Sequence, residues 1–324
     1  MTTRTDFGTI YSLRMTFLYI LLTVFHLVNS KEYVPCDFDK VCHSCKNGTL
    51  FILDCSRRNI STIPIIPIGA QVVNLKFNKL EIIRNGTFKK LQNLTELDLS
   101  FNQLVELETD AFVGLNSLQK LSLQNNTLGY SFLSFPGSVF TPLVSLENLN
   151  IKFNSKPTEE NFLESFIFDK HMPTLETLEI DVLFPNNSTD SGIFLLNITS
   201  LKTLITGICM ITELQEATFE YVENLEYMDL SSCPIKTYKS NTLLYRYIRY
   251  MDLSNSHFLA DDASFSAFMS DIKTCTLGTL VLSNTTRAYA DFFHARDFIS
   301  ILFKNLFFTE IRKLRLSNNY YFWQ

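Results

Sequence analysis

Glycine is scarce in this chain of 324 residues, and this absence limits the functions open to it. There are ten glycines, and the nearest two, Gly129 and Gly137, lie eight positions apart. The Gly-x-Gly-x-x-Gly turn that binds dinucleotides therefore cannot occur, and neither can the Gly-x4-Gly-Lys-Ser/Thr loop that cradles phosphates. Nucleotide enzymes built on such loops are excluded.

Positive charge and histidine are also in short supply. There are 28 Lys and Arg against 33 Asp and Glu, which gives a formal net charge of −5, and five histidines in all. A nucleic-acid ligand is disfavoured, because binding phosphates needs a surplus of basic residues. A nucleic-acid sensor switched by acid would also need histidines, whose imidazoles gain charge between about pH 5 and 8. No His-Glu-x-x-His or Gly-x-Ser-x-Gly motif is present. We therefore expect a protein that is not an enzyme and has no catalytic, cofactor or metal site.

The N-terminus has the parts of an export signal. The apolar run 15–28 follows Arg4 and Arg14 and ends in polar residues. It has about 14 residues, whereas a membrane-spanning helix needs about 20. A cleaved signal over residues 1–30, starting at Met1 or at Met15, is predicted; an uncleaved anchor and a buried helix are the alternatives.

Two further patterns favour an exported glycoprotein. Four cysteines cluster within twenty residues, at Cys36, Cys42, Cys45 and Cys55. Only Cys42 and Cys45 have zinc-knuckle spacing, so disulfides are favoured over a metal site. Nine Asn-x-Ser/Thr sequons offer glycan sites in a secreted chain, although an Asn- and Ser-rich sequence also produces them by accident. They lie at Asn47, Asn59, Asn85, Asn93, Asn125, Asn186, Asn187, Asn197 and Asn284.

One repeat accounts for most of the chain. The segment 94–104 aligns with 118–128 at an offset of 24 residues, and both fit L-x-x-L-x-L-x-x-N-x-L. The pattern recurs, with longer and less regular units, at starts 70, 94, 118, 146, 175, 201, 225, 248, 277 and 311. This predicts an α/β fold, a curved leucine-rich repeat solenoid with a parallel β-sheet on the concave face.

The repeat assigns a structural role to several side chains. One inward position should hold a ladder of hydrogen-bonded polar residues, interrupted where Leu183 replaces Asn. Cys209 and Cys233 occupy this position, and we expect buried thiols there, as at Cys275, rather than a bridge. An aromatic spine should form from one phenylalanine per repeat, at Phe88, Phe112, Phe140 and Phe219. Each is followed three residues later by an apolar partner, at Leu91, Leu115, Leu143 and Val222 respectively. The ladder comprises Asn78, Asn102, Asn126, Asn154, Cys209, Cys233 and Asn319.

The two ends of the solenoid differ. Residues 31–69, including the cysteine cluster and a first half-repeat, read as an N-terminal cap that covers the exposed edge of the core. Residues 70–324 are repeats, and the last one is cut short without a second cysteine cluster. The expectation is the N-terminal part of a longer protein or a truncated form of one.

The signal, cap, phenylalanine spine, irregular units and dense sequons together resemble the ectodomain of a Toll-like receptor over roughly residues 31–324. The resemblance implies innate immune recognition of a microbial or protein ligand, and homo- or heterodimerisation with another leucine-rich repeat receptor. It also implies disulfides Cys36–Cys45 and Cys42–Cys55. Attachment to a membrane would come only through a C-terminal part missing here, because neither a transmembrane nor a TIR segment is seen. The alternative is an extracellular adhesion or matrix-binding repeat protein.

The sequence names no ligand, but it suggests where a partner binds. Asn125 and Asn284 lie at the last outward position before the ladder, so glycans there would shield parts of the concave side or its rim. The longer repeats place their extra residues around 156–173, 184–198 and 261–275. The hypothesis is that a partner contacts these segments, which we expect to be loops, unless they are tolerated insertions.

Overall fold

The structure is a computed structural model of the 324-residue chain. It describes residues 36–38, 42–129, 134–154, 172–183, 195, 198–216, 218–243, 246–285 and 311–317. Several features predicted above lie wholly or largely outside the described residues. They are the signal at 1–30, the long-repeat segments 156–173 and 184–198, and Asn186, Asn187, Asn197 and Asn319.

A single long sheet runs through the described part of the chain. Its thirteen strands are β1 (Cys36–Phe38), β2 (His43–Asn47), β3 (Leu50–Asp54), β4 (Val72–Asn74), β6 (Glu96–Asp98), β8 (Lys120–Ser122), β9 (Asn148–Asn150), β10 (Thr177–Val182), β11 (Thr203–Cys209), β13 (Tyr227–Asp229), β15 (Tyr247–Asp252), β16 (Thr276–Val281) and β17 (Lys313–Arg315). Two short pairs lie outside it: β5 (Ile82–Ile83) with β7 (Glu106–Leu107), and β12 (Glu213–Leu214) with β14 (Thr237–Tyr238). The first three strands pair antiparallel and all later ones parallel, so the predicted capped parallel solenoid is confirmed.

The strand register is the one that the repeat alignment predicts. The central apolar residue of each strand pairs with its counterpart in the next repeat. Along the sheet these residues are Val73, Leu97, Leu121, Leu149, Leu178, Leu204, Met228, Met251, Leu280 and Leu314. Because strand side chains alternate between faces, this register sends every such residue toward the core and its neighbours toward solvent.

The predicted aromatic spine fills the layer behind the sheet. Phe88, Phe112, Phe140 and Phe219 are buried, as are their apolar partners three residues later. The rings of Phe88 and Phe112 stack with centroids 6.3 Å apart, and those of Phe112 and Phe140 are 6.1 Å apart. Phe88, Phe112 and Phe140 thus pack ring against ring across three successive repeats, which joins these units into one continuous core.

Residues 261–275, expected to form a loop, contain a helix instead. Helix α1 (Asp262–Ile272) starts at the N-cap Asp261, whose carboxylate accepts a hydrogen bond of 2.8 Å from the backbone N–H of Ser264. Its inner side buries Phe268, Met269 and Ile272. The expectation was wrong here because these apolar residues recur at helical spacing and fill the space that the longer repeat opens.

A buried carboxylate fastens the helix to the preceding repeat. Asp271 accepts hydrogen bonds from the Tyr238 hydroxyl (2.9 Å) and from the backbone N–H groups of Asn241 (2.9 Å) and Leu243 (3.1 Å). Burial, followed by the charge of Asp271, raises the pKa of Tyr238 well above its usual value. The hydroxyl therefore stays protonated and donates to the carboxylate in the folded protein.

Replacing Tyr238 with phenylalanine should cost about 1–3 kcal/mol of unfolding free energy near neutral pH, because one donor to a buried carboxylate is lost. Above pH 10 the unfolded tyrosine releases its proton while the folded one keeps it, so the parent loses stability as pH rises. The difference in unfolding free energy between parent and variant should therefore be smaller above pH 10 than at pH 7, as measured by denaturant titration at both pH values. Tyr247→Phe, at a 51% exposed position, is the control, and a gap that widens with pH would contradict the assignment.

Within the described ranges, no helix is both long and apolar enough to cross a bilayer. The apolar run 15–28 is not among those residues.

Candidate functional site

The ladder asparagines connect neighbouring repeats through the backbone. The side-chain amide of Asn102 donates to Leu99 in its own repeat (2.9 Å) and to Leu75 in the preceding one (3.1 Å), and Asn126 repeats the arrangement. The carbonyl oxygen of Asn102 accepts the N–H of Leu80 at 3.1 Å. Each buried amide thus satisfies backbone groups of two repeats, which holds the spacing on which the solvent-facing surface depends.

An aspartate that the sequence analysis missed bridges the break at Leu183. Asp181, buried to 2% exposure, accepts the N–H groups of Phe153 (2.9 Å) and Asn154 (3.0 Å) from one side and of Ile208 (2.6 Å) from the other. Gly207 permits this approach, because a β-carbon there would lie 2.2 Å from the carboxylate oxygen. The signal in the sequence was an acidic residue at a repeat position where the other repeats carry serine, lysine, glutamine or glycine.

Cys209 and Cys233 correct a prediction. They form a disulfide, with Cα atoms 4.7 Å apart, rather than the buried thiols that we expected. The same position in adjacent parallel repeats lies one strand spacing apart, which is within the range that a disulfide spans. Cys275 is free and buried, as predicted, and burial raises the pKa of its thiol.

The ladder continues past the disulfide with small hydroxyl residues. Ser256 and Thr285 are both buried, and the Thr285 hydroxyl donates to the carbonyl of Leu282 at 3.1 Å. Thr285 was not among the predicted ladder residues, although it stands three positions after the second strand leucine as Asn102 does.

The N-terminal cap contains the expected Cys42–Cys55 disulfide. Cys45 is also disulfide-bonded, and its Cα faces that of Cys36 across the first antiparallel pair. The side chain of Cys36 is outside the described set, so the Cys36–Cys45 pairing stays a prediction.

Ion pairs cross the solvent-facing side of the sheet, which is the concave face of the solenoid. The Nζ of Lys120 lies 2.8 Å from Glu96, that of Lys202 lies 2.6 Å from Glu176, and Lys152 pairs with Glu179. Farther along, the Nε of Arg249 lies 2.7 Å from Glu226. Apart from Lys152–Glu179, whose side chains are less exposed, these pairs are solvent-exposed and contribute about 0–1 kcal/mol each, so their main effect is to position charge on the surface.

A pair of stacked tyrosines stands out on this face. The rings of Tyr227 and Tyr250 lie 4.4 Å apart at 8°, and the Tyr250 hydroxyl donates to Asp252 at 3.0 Å. Burial, then the hydrogen bond to Asp252, raises the pKa of Tyr250. The carboxylate of Asp229 is fixed in turn by the N–H of Ser231 at 3.0 Å. We call Glu226, Tyr227, Asp229, Tyr250 and Asp252 the tyrosine patch.

The patch combines features that suit protein recognition. It offers two aromatic rings held in place by stacking, and three carboxylates, of which that of Glu226 pairs with Arg249. Rigid, partly exposed tyrosines lose little entropy on binding and are frequent among the residues that dominate interface energies. The repeat pattern alone did not single out this pair of tyrosines as a candidate contact surface.

The sequons within the described residues fall in different settings. Asn59, Asn85, Asn93 and Asn284 are exposed, and Asn125 is half-buried. Asn47 belongs to β2. Glycan occupancy at all of these positions stays a prediction. Among the described residues, no group of three His, Cys, Asp or Glu side chains could hold a metal ion.

Comparisons with known proteins agree with the architecture. Residues 69–128 match the family model described as leucine rich repeat. The chain folds as a leucine-rich repeat solenoid. A structure described as the mouse RP105/MD-1 complex is similar to this solenoid over 74% of this chain and 37% of that chain, with a TM-score of 0.54 and 19% identity.

Curated relatives include two kinds of leucine-rich repeat protein. Keratocan from Gallus gallus is 39% identical over 89 residues, which cover 27% of this chain and 25% of keratocan. Toll-like receptor 4 from Pinctada imbricata is 26% identical over 245 residues, which cover 66% of this chain and 26% of that receptor. The chain spans about a quarter of the length of these relatives.

Proposed function

We propose that the chain is the ligand-binding ectodomain of a Toll-like pattern-recognition receptor of innate immunity, exported to the cell surface or secreted. It acts by binding a microbial or protein ligand and by ectodomain dimerisation. The observation that carries the proposal is the extent of the receptor match: it covers 66% of this chain, against 27% for keratocan. A match of that length includes irregular repeats, whereas the keratocan match is too short to span them.

The tyrosine patch is the contact surface that we propose for the ligand. Helix α1 is less suitable, because its large apolar residues are buried or, at Phe265, half-buried against the core. Its exposed positions include Asp262, Ala263, Ser266 and Ser270. The patch instead presents two aromatic rings and an excess of carboxylates, which complement a basic or hydrogen-bond-donating partner.

The experiment uses the secreted chain, a panel of microbial products and extracellular matrix proteins. We expect saturable binding to a microbial product, accompanied by dimerisation in size-exclusion chromatography with light scattering. Tyr250→Ala should weaken that binding at least tenfold, because truncating a central aromatic residue commonly costs about 2 kcal/mol or more. Glu96→Ala, which lies on β6 of the same face, is the matched control and should bind like the parent.

A matrix-binding protein is the second candidate, and the higher local identity to keratocan supports it. Binding to a matrix protein alone, with no microbial ligand and no dimer, would favour that candidate over the receptor. If Tyr250→Ala and Glu96→Ala weaken ligand binding by the same factor, the tyrosine patch is not the contact surface.

A further inference from the structure

One residue per repeat, directly before the ladder position, forms a row along the rim of the sheet. We call Arg57, Phe77, Phe101, Asn125 and Phe153 the rim row. All five have left-handed backbone, with φ between 52° and 57°. The N–H of Phe101 donates to Gln124 at 2.8 Å, and that of Asn125 donates to Lys152 at 3.1 Å. The row therefore advances by one repeat at each step, so Asn125 lies between Phe101 and Phe153.

Phenylalanine is an unfavourable choice for this backbone. Left-handed φ suits glycine and asparagine, whereas a bulky side chain there is strained, and strain that persists often marks a functional position. Phe101 and Phe153 are nevertheless 40% and 42% exposed. Phe77 is covered on both sides, by Phe101 with ring centroids 4.5 Å apart and by the guanidinium of Arg57 at 4.1 Å. Among the described residues no second ring stacks on Phe101 and none stacks on Phe153, which the Nζ of Lys152 approaches to 5.6 Å from the ring centroid.

Asn125 is itself a sequon residue, followed by Asn126 and Thr127. Its side-chain amide makes no hydrogen bond within the described part of the chain. Asn284 provides a contrast: it is also a sequon residue at the same repeat position, with φ 54°. The Nδ2 of Asn284 donates to Asn255 at 2.9 Å, and its neighbour in the row is that asparagine rather than a phenylalanine.

We propose that Asn125 carries an N-linked glycan whose first N-acetylglucosamine packs between the rings of Phe101 and Phe153. Attachment forms a bond from Nδ2 of Asn125 to the anomeric carbon of a lipid-linked oligosaccharide. The bond from that carbon to the donor's pyrophosphate breaks, and the amide proton leaves with the pyrophosphate. The inference rests on export of the chain, which the proposed function also requires.

The spacing of the row suits a stacked sugar. Adjacent repeats lie about 4.8 Å apart, so Phe101 and Phe153 are separated by roughly 10 Å at the backbone. Rings in favourable contact have centroids about 4.5–7 Å apart, so one pyranose ring fills this gap with its C–H faces against both aromatic rings. The glycan then shields the two exposed phenylalanines and closes this stretch of the rim to a protein partner.

The first test follows glycan removal from the secreted protein, prepared with high-mannose chains. Peptide mapping should find Asn125 occupied. Trimming every glycan to a single N-acetylglucosamine should leave the melting temperature within about 1 °C, because only the first sugar contacts the rings. Asn125→Asp should lower the melting temperature by about 2–4 °C, whereas Asn284→Asp, the matched control, should shift it by less than about 1 °C.

The second test asks whether the rings are responsible. In a Phe101→Ser/Phe153→Ser background, adding Asn125→Asp should have almost no further effect on the melting temperature. The proposal would be overturned if Asn125→Asp lowered the melting temperature equally in the parent and in the double phenylalanine variant. It would also be overturned if trimming the glycans to one N-acetylglucosamine lowered the melting temperature. If the double variant is not secreted, the trimming series decides. An empty Asn125 beside an occupied Asn85 refutes this inference alone, whereas a chain with no occupied sequon refutes export and the proposed function with it.

Discussion

Asp181→Ala is expected to lower the free energy of unfolding by about 3–5 kcal/mol, because three backbone donors lose their shared acceptor and each unsatisfied buried donor costs about 1–3 kcal/mol. The carboxylate accepts three backbone N–H groups, from Phe153, Asn154 and Ile208. Removing it leaves these donors, of which that of Asn154 is buried, without their acceptor at the point where three repeats meet. Asn102→Ala, which removes one ladder amide, should cost less, about 1–3 kcal/mol.

Chemical denaturation monitored by circular dichroism measures these differences. Asp98→Ala is the control, because its carboxylate is partly exposed and its partners, the N–H and hydroxyl of Ser100 and the ammonium of Lys76 at 3.9 Å, can be replaced by water. Gly207→Ala should be destabilising in a similar range to Asp181→Ala, since its new β-carbon would collide with the carboxylate. An Asp181→Ala variant as stable as Asp98→Ala would show that this carboxylate does not join the repeats.

Replacing both Cys209 and Cys233 with alanine is expected to cost about 3 kcal/mol. The disulfide closes a loop with a sequence separation of 24 residues, and a loop of that length restricts the unfolded chain by about this much free energy. Cys275→Ala serves as the control, because it removes a buried thiol without opening a bridge.

The bridge itself can be detected directly. Non-reducing peptide mapping of the secreted protein after alkylation in denaturant should recover Cys209 and Cys233 in one linked peptide. Alkylation of both sulfur atoms before reduction would show that they are thiols, and the earlier expectation from the repeat pattern would then stand.

Local pattern was sufficient for the repeating part of the structure. The 24-residue offset predicted the strand register, the buried spine from Phe88 to Phe219 and the inward position of Asn102. Each of these depends on interactions that recur between one repeat and the next, so the period of the apolar residues encodes them.

Pattern was insufficient where a repeat departs from the period. Residues 261–275 were read as a loop, yet Phe268, Met269 and Ile272 form the buried side of a helix. Tyr238 and Asp271 are 33 residues apart, and their hydrogen bond cannot be predicted from the repeat pattern. Tyr227 and Tyr250 share a strand position in adjacent repeats, so the alignment places them side by side, whereas the contact between their rings depends on side-chain conformation.

The sequence by itself determined the solenoid, its cap and the direction in which each strand residue points, because apolar spacing and side-chain alternation are local properties. Only the tertiary structure decided that Cys209 and Cys233 bond and that Asp181 replaces a ladder residue. These outcomes depend on distances between residues 24 to 28 positions apart in the chain. Such distances are set by how successive turns of the solenoid stack, and a one-dimensional pattern does not contain them.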